Sequence, residues 1–111
     1  MAKLETVLTG RFDDTVKEVV RGVLDRSVTA TLEEESDWSE GNVRCAVRIL
    51  ERYSAFGGNR LSLNLTFFGT DGRICLTAAS AGGSQAMFWK VNTLGEESFL
   101  DTVRDTLESM E

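Results

Sequence analysis

Two glycine-bearing dipeptides, Asp71-Gly72 and Gly82-Gly83, constrain this chain more than anything else in it, because each separates stretches that alternate between apolar and polar residues. A two-residue hairpin turn needs positive φ at its centre, which Asn, Asp and Gly tolerate. Each dipeptide therefore predicts a tight turn and also fixes the pairing of its flanking strands. A turn at 71–72 sets Phe67 opposite Leu76 and Leu65 opposite Ala78. A turn at 82–83 sets Ala78 opposite Met87, Leu76 opposite Trp89 and Ile74 opposite Val91. A slip by one residue would turn a whole strand over, so turn chemistry and apolar pattern select the same register.

The alternation extends upstream. Over 43–53, Val43, Cys45, Val47 and Ile49 fall on one face, and Arg44, Ala46, Arg48, Leu50 and Arg52 on the other. The first set is expected to face the core, since strand side chains alternate with a period of two. Over 61–68, Leu61, Leu63, Leu65 and Phe67 are expected inward, and Ser62, Asn64, Thr66 and Phe68 outward. Residues 55–60 form the turn between them. The region 43–91 thus reads as a four-stranded meander, its third and fourth strands at 73–81 and 84–91.

The remaining elements attach to that meander. Residues 3–9 predict a short strand anchored by Leu4 and Leu8 and broken by Gly10. A helix follows over about 14–25, with Asp13 and Asp14 at its positive end and Phe12, Val16, Val19, Val20, Val23 and Leu24 in one stripe. Strand 28–35 is expected to place Val28, Ala30 and Leu32 inward, and Ser36 to Gly41 to form a polar loop carrying Trp38. Closing that loop sets Leu32 opposite Cys45, Ala30 opposite Val47 and Glu33 opposite Arg44. Thr93 and Glu96 have capping-box spacing ahead of a last helix over 94–109, with Phe99, Leu100, Val103, Leu107 and Met110 on its apolar side.

The order β-α-β-β-β-β-β-α predicts one α+β domain over 1–111, a curved antiparallel sheet with two helices on one face. That order resembles the TATA-binding-protein-like and helix-grip folds. The segments Val43 to Arg48, Glu51-Arg52-Tyr53, Gly57 to Arg60, Ala81 to Ala86 and Gly95 to Leu100 resemble a small bacterial family of unknown function. The resemblance spans nearly the whole chain. It implies a stand-alone cytoplasmic protein and no activity, cofactor or assigned site.

A net charge of −6 over 111 residues opposes general binding to nucleic acid or anionic membranes, which needs a positive field. No apolar run is long enough to span a bilayer, and Met-Ala-Lys-Leu-Glu is no secretory leader; a cytoplasmic location is expected. Cys45 and Cys75 are expected on opposite sheet faces, which forbids a disulfide and leaves free thiols.

Candidate sites follow from these faces. Arg44, Arg48 and Arg52 form a stripe on the expected outer face, suited either to an anion or to pairing with Glu33 and Glu35 next door. Glu51 is in phase with the expected core face. It either lines a pocket beneath the last helix, near Tyr53, Arg60 and Trp89, or reaches solvent at the strand end. The glycines at 82–83 suit a hairpin better than an anion nest, and Trp38 is either a recognition tip or a loop anchor. The outer face also carries Ala46, Leu50, Phe68, Cys75, Ala79, Ala86 and Phe88, and apolar patches of that kind mark interfaces. With no histidine and no base beside either cysteine, no catalytic constellation is evident. The acidic run Glu33 to Asp37 is a poor metal cage, and no metal or cofactor is expected. The leading expectation is a non-enzymatic, self-associating interaction protein, with Phe68 and Phe88 in its interface. The other is a carrier for a small molecule held under the last helix.

Overall fold

The computed structural model describes residues 1–53, 59–82 and 89–110, with residues 89–94 described by backbone alone. In chain order it holds β1 (Ala2–Thr9), α1 (Phe12–Asp25), β2 (Thr31–Glu40), β3 (Val43–Tyr53), β4 (Arg60–Thr70), β5 (Arg73–Gly82) and α2 (Trp89–Ser109). The strands form one antiparallel sheet in the order β1-β5-β4-β3-β2. The α+β, two-layer architecture is the expected one.

The Asp71-Gly72 hairpin is as its residues require. Both adopt positive φ, 51° and 81°, and Phe67 pairs with Leu76 and Leu65 with Ala78. Of the strand expected over 84–91, residues 84–88 lie outside the described residues, and 89–91 open α2 instead. The edge of β5 assigned to it is occupied by β1, which pairs Leu4 with Ala78 and Leu8 with Ile74. Because α2 starts at Trp89, Thr93 lies inside the helix and is no cap.

The core sits between the sheet and both helices. Leu61, Leu63, Leu65 and Phe67 of β4, Ile74, Leu76 and Ala78 of β5, and Phe99, Leu100 and Val103 of α2 are all buried. From α1 come Val16, Val19, Val20 and Val23, the predicted stripe. Valine is a mediocre helix former, and burial of a side chain of this kind contributes about 1.5–3 kcal/mol, so packing holds α1. The helices meet at Gly22, where a Cβ would collide with the Thr106 side chain.

Strand β3 presents the opposite face from the one expected. Ala46 and Leu50 are fully buried under the helices, whereas Val43, Cys45, Val47 and Ile49 lie half-buried on the uncovered side. The register shows why: Ala46 pairs with Phe67 and Leu50 with Leu63. Both faces of β3 carry apolar residues, and the arginine stems cover apolar surface as well, so alternation alone did not rank them. The same inversion moves Cys45 to the face of Cys75. Both thiols are free, but because Phe68 stands between them in the sheet: Cys45 pairs with Phe68, and Phe68 with Cys75.

Strand β2 runs further than expected and in a different register. It reaches Glu40, and the chain turns through Gly41 (φ 59°) and Asn42. Trp38 therefore pairs with Cys45, Glu35 with Arg48 and Leu32 with Leu50, with a bulge between Leu32 and Glu34. The polar run Ser36–Glu40 reads as loop, yet a strand at a sheet edge with little above it has no need of apolar residues. Val28 precedes β2 and is fully exposed.

Candidate functional site

The sheet has one face beneath the helices and one face that no described element covers. A row of paired residues crosses all five strands of the open face: Val7, Cys75, Phe68, Cys45 and Trp38. Three of them are large and exposed, Val7 at 51%, Phe68 at 44% and Trp38 at 75%. Phe68 stands on the central strand, with Val47 and Ile49 beside it on β3. Another row on the same face, four residues further along each strand and also five strands wide, contains Lys3, Ala79, Asn64, Ile49 and Glu34. Of the apolar residues assigned to this face, Phe68, Cys75 and Ala79 are on it, Ala46 and Leu50 are in the core, and Ala86 and Phe88 lie outside the described residues. Val7 and Trp38 were missed as members. The signal for Val7 was its phase, opposite to Leu4 and Leu8.

The three arginines are on the helix side, not the outer side, and each is engaged. Arg44 donates to Asp13 at 2.7 Å and lies 4.8 Å from the centre of the Phe12 ring. Arg48 pairs with Glu35 at 3.3 Å and Asp37 at 2.9 Å. Arg52 donates to Ser98 Oγ at 3.1 Å and stacks over Phe99. Burial lowers the Arg52 pKa from its ordinary value. A stripe already matched by carboxylates, a hydroxyl and ring faces offers little to an external anion. The expected Glu33–Arg44 pair is not formed; Glu33 lies 3.9 Å from Arg60.

Glu51, Tyr53 and Arg60 do come together. Arg60 pairs with Glu51 at 2.5 Å and its guanidinium lies 5.4 Å from the Tyr53 ring centre. The group sits at one end of the open face, on the opposite side of the sheet from α2. It therefore lines no pocket beneath that helix, and the Trp89 side chain lies outside the described residues. An open groove of about 390 Å³ lies elsewhere, between α1 and the β2–β3 edge, with Val16, Val20, Leu24 and Leu32 as its apolar lining and Lys17, Arg21, Asp25, Glu35 and Arg48 as its charged lining.

One further residue was assigned a different task. Glu96 is buried, accepts a 2.7 Å hydrogen bond from the Gly82 backbone N–H and lies 2.9 Å from the Met1 nitrogen. Instead of capping its own helix, it ties α2 to the ends of β5 and β1. No group of His, Cys, Asp and Glu among the described residues is placed to hold a metal ion, and no helix among them is long and apolar enough to cross a membrane.

Fold and site together define a two-layer α+β protein whose sheet has one helix-covered and one open apolar face. The chain belongs to a family of unknown function, DUF6054, whose model matches residues 1–111. Comparison with curated proteins and with solved structures finds no match.

Proposed function

We propose that this protein is a non-enzymatic interaction module that self-associates through the open face of its sheet. The observation that carries the reading is the five-strand row Val7–Cys75–Phe68–Cys45–Trp38. A continuous apolar row centred on the middle strand differs from scattered exposed side chains, which need no explanation. The arginine stripe Arg44, Arg48 and Arg52 is already engaged within the chain, and the sequence lacks histidine.

Sedimentation equilibrium tests this reading. The wild type is expected to sediment as a dimer at micromolar concentration, and Phe68→Lys as a monomer with unchanged far-ultraviolet circular dichroism. Phe68 is exposed, so a lysine there has water available in the free chain. A wild type that is monomeric throughout the accessible range overturns the proposal.

A second reading, a carrier of a small apolar ligand, draws on the α1–β2 groove, whose volume lies in the range of ligand pockets. Native mass spectrometry of the purified protein tests it. A retained small molecule that is lost in Val20→Glu supports the carrier, and a bare polypeptide mass counts against it.

A further inference from the structure

The self-association just proposed has two possible geometries, and the open face distinguishes between them. Two identical sheets packed face to face are related by a two-fold axis in the plane between them. In aligned sheet packing that axis runs close to the strand direction or across it. We propose that it runs along β4, through Phe68, so that β1 of each copy faces β2 of the other and β5 faces β3. This inference rests on the reading of the open face as a self-association surface.

Three features of the face select that axis. The first is side-chain volume. On the open face β3 presents Cys45, Val47 and Ile49, whereas β5 presents Cys75, Thr77 and Ala79 in the same rows. An axis along β4 sets Ile49 over the partner's Ala79 and Val47 over the partner's Thr77, bulky on small. An axis across the strands sets β3 on β3 and β5 on β5, which crowds one side and leaves a gap on the other. Interdigitating inner faces are what pack two sheets about 10 Å apart.

The second feature is charge. On the open face β2 presents Glu34 and Glu40 and no cation, whereas its Glu35 and Asp37 face the helix side with Arg48. Stacking β2 on its own copy leaves Glu34 and Glu40 with no cation to face. The axis along β4 instead puts β2 against β1, with Glu34 facing the partner's Lys3. The two residues occupy the ends of one row, equidistant in strands from β4. Within one chain Lys3 already meets Glu5 at 3.4 Å, with both side chains well exposed, so it can serve both carboxylates.

The third feature is the aromatic row itself. The same axis stacks Phe68 on the partner's Phe68 and lays Trp38 over the partner's Val7, covering the three most exposed apolar residues of the row. Five strands at about 4.8 Å spacing and eight residues at about 3.4 Å give a face of roughly 600 Å² per copy. That makes a total of roughly 1,200 Å², at the lower end of stable interfaces.

Single-cysteine variants read the axis directly. Cys45→Ala leaves only Cys75, and Cys75→Ala leaves only Cys45. Under the proposed axis Cys45 faces the partner's Cys75, and like cysteines stand two strands apart in projection. With a short bismaleimide, neither variant alone forms a covalent dimer, whereas an equimolar mixture does. Lys3→Glu and Glu34→Lys each weaken dimerisation by roughly three- to tenfold, and the double variant regains most of that loss. If the wild type is dimeric but each single-cysteine variant cross-links with itself, the axis is wrong and the open-face reading survives. If the wild type is monomeric, the open-face reading has failed and the axis falls with it.

Discussion

The Arg52 guanidinium lies 4.4 Å above the centre of the Phe99 ring, closing the β3 side of the core where α2 crosses the sheet. A cation over an aromatic face contributes about 0.5–2 kcal/mol, more as water is excluded. Arg52→Ala is expected to cost about 1–2 kcal/mol, because it removes the stack, the Ser98 bond and the stem that covers Phe99. Arg52→Lys should recover part of it, and urea unfolding of the three proteins measures the order.

Glu96 joins α2 to the last residue of β5. Replacing it with Ala leaves the Gly82 N–H without its acceptor, a loss of about 1–3 kcal/mol. Glu96→Gln keeps an acceptor oxygen and should fall between. Amide exchange at Gly82, followed by NMR, should accelerate in both variants, and more in the alanine variant.

Helices α1 and α2 meet at Gly22 and Thr106. Gly22→Ala forces a methyl group into the space of the Thr106 side chain and should destabilise by about 1–3 kcal/mol despite alanine's higher helix propensity. Thr106→Ala in the same chain should relieve part of the clash. A double-mutant cycle by thermal unfolding gives the coupling.

Ser80 is fully buried on the helix side of β5, and its hydroxyl has no hydrogen-bond partner among the described residues. Ser80→Ala removes an unsatisfied polar atom without changing shape greatly, so stability should stay level or rise by up to about 1 kcal/mol. Chemical denaturation checks the sign; a marked loss would mean that the hydroxyl has a partner.

Much of the fold was legible because local chemistry sets it. Asp71-Gly72 admits one tight turn, and that turn forces the β4–β5 register residue by residue. The valine stripe of α1 repeats at helical spacing and is the buried stripe. Leu4 and Leu8 anchor β1 as their phase requires. The Glu51–Tyr53–Arg60 group was legible for the same reason, since it spans one strand end and the next strand's start. Ser36 to Glu40 were misread because polar residues are permitted both in a loop and on an edge strand. The difference lies in the backbone pairing with β3, which composition does not encode.

Alternation along β3 sorts its side chains into two sets, and that sorting is correct: Cys45 travels with Val47 and Ile49, and Arg44 with Arg48 and Arg52. Which set the helices cover is a long-range matter. Ala46 and Leu50 won because they complete a surface with Leu63 and Phe67, and because Asp13, Glu35, Asp37, Ser98 and Phe99 converge from other elements to satisfy the three guanidinium groups. Periodicity is a property of neighbours in the chain, whereas the choice of inner face depends on partners tens of residues away. The open apolar row exists as a surface only once that choice is made.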